Sequence, residues 1–190
     1  GTYLDCKDTV LCWRPTWHRD ALNRQTDYAY NANGQLTEQT DPADADGIRR
    51  KTYLEYTTFD TGAGIISRKS RTRICGATTT CGTNAEFRTE YEYWNSTFLP
   101  SVERRVELAT GQVRETRYTY DAAGRVLSID GPHPGTDDMQ YFRYDVIGRK
   151  TWEIGALAPN GLRIAKRFTY RDSDDQVTAV ETGTLPDATS

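Results

Sequence analysis

Four cysteines stand in two pairs of identical spacing, Cys6-x5-Cys12 and Cys75-x5-Cys81. Cysteines flanking so short a loop come within the ~5.5 Å Cα separation of a disulfide when the flanking strands pair. Two local disulfides are therefore the expected chemistry, and they imply an oxidising compartment. A shared zinc site fits poorly, because neither pair has the spacing of about two to four residues typical of zinc knuckles. Free thiols are the remaining alternative.

Other reactive residue types are sparse. The two histidines are His18, in a Trp-rich stretch, and His133, between two prolines, and both read as loop or strand-edge residues. No serine sits in a strand-turn-helix elbow. The stretch Asp41-Pro42-Ala43-Asp44-Ala45-Asp46-Gly47 resembles a calcium loop only superficially. Aligned on Gly47, it puts Pro42 and Tyr53 where the two end carboxylates belong. The expectation is no catalytic residue, no metal and no cofactor. Trp13 and Trp17, interleaved with Arg14 and Arg19, are the best candidates for stacking on a glycan, although the stronger reading is that they cap the first hairpin against solvent. Lys69, Arg71 and Arg73 share one strand face at a period of two, and read as a solvated face balanced by Glu86, Glu90 and Glu92 on the returning strand.

These side chains need elements to position them. The chain has 190 residues with 36% hydrophobic content, a net charge of −3 and a mean hydropathy of −0.75, which leaves little material for a thick core. No run approaches the roughly 18 apolar residues of a spanning helix, so membrane insertion is not expected. The interleaved 24 basic and 27 acidic residues lack the net basic surface of a nucleic-acid binder. Twelve tyrosines against five phenylalanines, with abundant threonine, make a strand-forming palette.

A repeat organises the chain. Tyr118-Thr119-Tyr120-Asp121-Ala122-Ala123-Gly124-Arg125-Val126 recurs at 142–150, with Tyr144, Asp145, Gly148 and Arg149, and at 28–36, with Tyr28, Tyr30 and Gly34. Degenerate copies end on Tyr56, Tyr93 and Tyr170. The second aromatic of each copy marks steps of 26, 37, 27, 24 and 26 residues. Gly47, Gly111, Gly135 and Gly161 lie nine residues before a marker tyrosine, with Asn84 in that place before Tyr93. Each unit then reads as turn, strand, tight turn, strand, which is one β-hairpin. A lone hairpin is marginal in water, so each must lean on the next. The tyrosines are expected to stack from repeat to repeat, each hydroxyl finding water or a polar neighbour.

The Tyr-x-Tyr-Asp-x-x-Gly-Arg-Val pattern of 118–126 resembles the signature of the RHS/YD-repeat family, and the resemblance extends from about Tyr28 to Val180. It implies an all-β chain of tandem β-hairpin repeats forming a curved, open antiparallel sheet, a segment of a YD-repeat shell. It further implies a non-catalytic role in a secreted or cell-surface protein, with a C-terminal effector linked in cis, or further repeats, as its partner. Family members are also connected with carbohydrate binding. The self-cleaving motif associated with such shells is not found here.

The expected organisation is an N-terminal partial repeat with a cysteine hairpin over 1–27, and a hairpin array over 28–190 with a second cysteine hairpin at about 65–90. The starting Gly1 reads as a cut within a longer array. Edge strands are expected to favour edge-to-edge self-association unless charges such as Arg104 and Arg105 blunt them.

Overall fold

The computed structural model describes residues 10–76, 81–82, 85–94 and 97–186. Among them are thirteen strands: β1 (Trp17–Arg19), β2 (Gln25–Tyr30), β3 (Leu36–Ala43), β4 (Arg49–Asp60), β5 (Ile65–Cys75), β6 (Glu86–Tyr93), β7 (Pro100–Glu107), β8 (Gln112–Tyr120), β9 (Val126–Asp130), β10 (Gln140–Tyr144), β11 (Lys150–Leu157), β12 (Arg163–Tyr170) and β13 (Val177–Leu185). They are hydrogen-bonded in chain order, each to its sequence neighbours. The fold is all-β and antiparallel. Strands β2, β6, β8, β10 and β12 each end on a marker tyrosine, while β4 runs past its own, Tyr56, to Asp60. Arg104 and Arg105 lie on β7, an interior strand, and therefore blunt no edge.

The chain divides into two compact units, residues 1–98 with 103–113, and 99–102 with 114–190. In the first, β4 and β5 are the long pair, and β5 continues into Cys75, which is disulfide-bonded to Cys81 at a Cα separation of 4.9 Å. Cys12 is also disulfide-bonded. Its expected partner, Cys6, lies outside the described residues, as does Asn84. In the second unit, Ile154 and Ala165 are buried opposite one another on β11 and β12, with Tyr141, Trp152 and Leu185 packed around them.

Buried apolar residues are few. Among the described residues only Cys75, Val102, Ile154 and Ala165 qualify, and they are matched by four buried polar ones, Thr26, Glu86, Ser128 and Arg163. Apolar burial on that scale cannot by itself hold neighbouring hairpins in register. The polar groups between hairpins therefore carry an unusual share of the specificity.

Each turn follows from its sequence. Asp121 Oδ1 accepts the amides of Ala123 and Arg125, and its Oδ2 accepts Arg125 Nε at 2.6 Å. Asp145 does the same with Ile147 and Arg149. Gly124 takes a φ of +80° and Gly148 one of +98°. Both also face a neighbouring hairpin, since an added Cβ would stand 3.0 Å from Leu99 Cδ1 or from Arg125 Nη1. The turn residue must therefore tolerate left-handed backbone, and any side chain there would press on the tip of Leu99 or of Arg125.

A second regularity is invisible in the motif. The pairing register shifts at the marker tyrosine, between Ala29 and Tyr30, Glu55 and Tyr56, Thr119 and Tyr120, Arg143 and Tyr144, and Thr169 and Tyr170. Such bulges bend a strand and re-aim the side chain beside them. Here the re-aimed side chain is the tyrosine.

Candidate functional site: the contacts between hairpins

The marker tyrosines share one partner type. Tyr30 donates its hydroxyl hydrogen to the Pro15 carbonyl at 3.0 Å, and Tyr56 donates to Leu36 at 2.8 Å. Tyr93 reaches the Lys69 carbonyl at 2.6 Å and Tyr120 that of Pro100 at 2.7 Å. Tyr144 reaches Val126 at 2.9 Å and Tyr170 reaches Lys150 at 2.8 Å. Every acceptor belongs to the preceding hairpin or the segment leading into it. The hydroxyl explains why these positions are tyrosine and not phenylalanine: it satisfies a main-chain acceptor while the ring covers apolar area. Burial raises the hydroxyl pKa of Tyr30, Tyr56, Tyr93 and Tyr120 above the ordinary value.

The motif arginines form a second contact. The guanidinium of Arg125 lies 4.9 Å from the centre of the Tyr144 ring, and that of Arg149 lies 4.9 Å from the Tyr170 ring. Each arginine is thus clamped to the aspartate of its own turn while covering the tyrosine of the next hairpin. Arg149 also pairs with Asp172 and Asp175, both at 2.9 Å. At these two positions a guanidinium takes the place that ring-on-ring stacking is expected to fill. The first copy differs, since Gln35 stands where the arginine would be and bonds Ser67 at 2.9 Å.

Arg49 and Arg163 make a third contact, one that the motif does not reveal. Arg163 is 6% exposed, and donates to the carbonyls of Met139 at 2.6 Å, Gly155 at 3.1 Å and Thr136 at 3.2 Å. Arg49 donates to the carbonyls of Asp41, Gln25 and Thr40 and pairs with Asp27 at 2.7 Å. Both arginines stand two residues after a turn glycine, Gly47 or Gly161, and open their strands beside a matching register shift. The signal is present as Gly-x-Arg, but two copies within one chain do not stand out. The motif also passes over one turn: Asp20 caps Leu22 and Arg24 as Asp121 does its own turn, with Asn23 at φ +61° in the glycine's place.

The remaining candidates lie apart from these contacts. Trp13 is 83% exposed, so it does not seal the first hairpin, and Arg19 lies 5.3 Å from the Trp17 ring centre. Tyr28 and His18 share a 2.9 Å hydrogen bond through the tyrosine hydroxyl and Nδ1. Gly34 has a φ of +72°. Arg71 bridges Glu55 and Glu90, and Arg73 pairs with Glu55, so much of the basic strand is balanced by neighbouring acids. Glu86 is not one of them. It is buried beside the disulfide, where it accepts the Gly82 amide at 2.6 Å.

These contacts predict a pH response. Hydrogen bonds from Arg125, its main-chain amide foremost, hold the Asp121 carboxyl below its ordinary value. Burial pushes the Asp145 carboxyl up, but the hydrogen bonds from Arg149 outweigh it and the net direction is again down. The contribution of both aspartates to stability is present above the unfolded value of about 3.9 and is lost as pH falls through the lower folded one. The tyrosine contribution is present below about 10 and is lost as pH rises through the raised folded values. Urea midpoints followed by circular dichroism should be flat between about pH 5 and 9, and decline below about 4 and above about 10. A midpoint unchanged down to about pH 2 would show that the aspartate turns carry no weight in stability.

Comparison with known proteins agrees with this geometry. A family model for the RHS repeat matches residues 15–53. No curated protein is matched. The crystal structure of TcdB2-TccC3-TEV superposes with a TM-score of 0.60 at 18% identity, over 88% of this chain and 8% of that one. The structure of TcdB2-TccC3-Cdc42 gives 0.48 at 16% identity, over 96% of this chain and 10% of that one. This chain thus spans about a twelfth of the length of the first structure's chain. Residues 15–53 match the RHS repeat, within an array of antiparallel hairpins that shares the fold of the matched 8% of the TcdB2-TccC3-TEV chain.

Proposed function

We propose that this chain is a non-catalytic wall segment of an extracellular RHS/YD-repeat protein, whose shell encloses a C-terminal toxin or effector linked in cis. The observation that carries the reading is the fate of the motif's polar groups. All six marker hydroxyls are spent on carbonyls of the preceding hairpin or its lead-in. Such a motif serves continuity of a sheet, which is what a wall requires. The disulfide at Cys75 and Cys81 supports a secreted or cell-surface setting.

The test is protease protection in the gene product that contains this segment. Its C-terminal region should resist digestion in the intact protein and become sensitive when hairpin contacts are broken by Arg163→Met with Tyr144→Ala. A product without further repeats and a distinct C-terminal region would overturn the reading, as would equal digestion of both forms. A second reading, a carbohydrate-binding or adhesion module, is favoured by the exposed indole of Trp13. Glycan-array binding lost on Trp13→Ala or Trp17→Ala would support it.

A further inference from the structure

The last strand, β13, presents the acceptor side of the contact that joins earlier hairpins. Leu36, Val126 and Lys150 each stand opposite a marker tyrosine across the tight turn, paired with Tyr30, Tyr120 and Tyr144. The carbonyl of each then accepts the next marker hydroxyl, from Tyr56, Tyr144 and Tyr170. Val177 holds the same position opposite Tyr170. It is the next acceptor in the series.

The other end of β13 adds a second feature. An open recess of about 210 Å³ lies on the sheet face there, with Ala165 and Gly183 opposite one another and Trp152, Arg167, Glu181 and Leu185 around them. The recess lies along the edge from Val177, as the Arg49 and Arg163 contacts lie along their strands from the tyrosine contacts. Glu181, whose carboxylate stands 3.7 Å from Arg167 across the recess, is the acid that an incoming guanidinium would share with Arg167, as Asp27 serves Arg49. β13 itself is exposed along its length up to Leu185. Arg49 and Tyr56 are seven residues apart, as are Arg163 and Tyr170, so the two features match the two ends of one strand type.

We propose that the β13 edge is a docking site for one kind of strand, that of a further hairpin of the parent chain reading Gly-x-Arg-x6-Tyr. Its tyrosine hydroxyl bonds the Val177 carbonyl while its arginine enters the recess beside Glu181. The proposal rests on the repeat-array reading, but not on an enclosed effector. The edge selects by side chain as well as by main-chain pairing, which separates it from an edge that accepts any strand.

The test extends the whole chain, after Ser190 and through a flexible Gly-Ser linker of about ten residues, with a second copy of its own 160–185 hairpin. Amide hydrogen exchange across Val177–Leu185 should slow by at least about tenfold relative to the unextended chain. Arg163→Met with Tyr170→Phe, made only in the appended copy, should abolish most of that protection. Unchanged exchange on extension overturns the proposal. So does equal protection by the substituted copy, which would mean that pairing there is indifferent to side chain. Failure of C-terminal protection in the parent product would defeat the shell reading and leave this result standing.

Discussion

Arg163→Met is expected to lower the unfolding free energy of the second unit by about 3 kcal/mol, a large effect for one side chain. The guanidinium is 6% exposed and serves three carbonyls, those of Met139, Gly155 and Thr136. Replacing buried charges by apolar groups is often neutral when both partners leave together. Here the partners are main chain and stay behind. A buried carbonyl left unsatisfied costs about 1–3 kcal/mol, and entry of water at the exposed sheet face recovers part of that. Arg163→Lys should recover less than half of the loss, because a single ammonium cannot span three acceptors in a plane. Arg49, with a side chain 36% exposed, should lose only about 1 kcal/mol in the same substitution, since water reaches its partners. Urea denaturation followed by tryptophan fluorescence, with Trp152 as the local reporter, measures each loss. A cost below about 1 kcal/mol for Arg163→Met would show that the carbonyls find other donors.

The second large effect is expected at Tyr144, where two substitutions separate the hydroxyl from the ring. Tyr144→Phe removes one hydrogen bond to the Val126 carbonyl and should cost about 1 kcal/mol. Tyr144→Ala removes the ring as well, together with the surface from which Arg125 lies 4.9 Å away. A cost of about 3 kcal/mol is expected, at the low end of aromatic truncation because the ring is only half-buried. The split between the two variants, read from their urea midpoints, is the informative quantity. If phenylalanine were as damaging as alanine, the hydroxyl would be the whole contact. If phenylalanine were neutral, the bond to the preceding hairpin would carry no weight and the repeated geometry would be incidental.

Both expectations concern contacts that the repeat pattern predicts to different degrees. The hairpin period, the strand ends and the left-handed glycines are legible in the sequence because each depends on residues within five or six positions of one another. An aspartate four residues before an arginine caps the same turn whatever surrounds it. Gly47, Gly111, Gly135 and Gly161 all have positive φ for the same local reason. The need for neighbouring hairpins to lean on one another is equally legible, from the low apolar content.

The partners of the marker tyrosines across hairpins are not legible, because they lie 15 to 24 residues away and depend on how strands register. Alternation puts Tyr118 and Tyr120 on one face but says nothing of the bulge beside Tyr120, and the bulge decides what its hydroxyl meets. Glu86 reads as one acid among several facing a basic strand. The pairing of Cys75 with Glu86 carries it into a buried place against the Gly82 amide. Nothing in the sequence singles out Arg163 in a chain that is 27% charged, and the fold makes it one of the few buried residues. By itself the sequence determined a chain of β-hairpins with known turns and a known period, since turn chemistry is local. Only the tertiary structure decided which carbonyl each tyrosine and arginine would satisfy, because a one-residue bulge in a strand redirects a side chain toward a different neighbour.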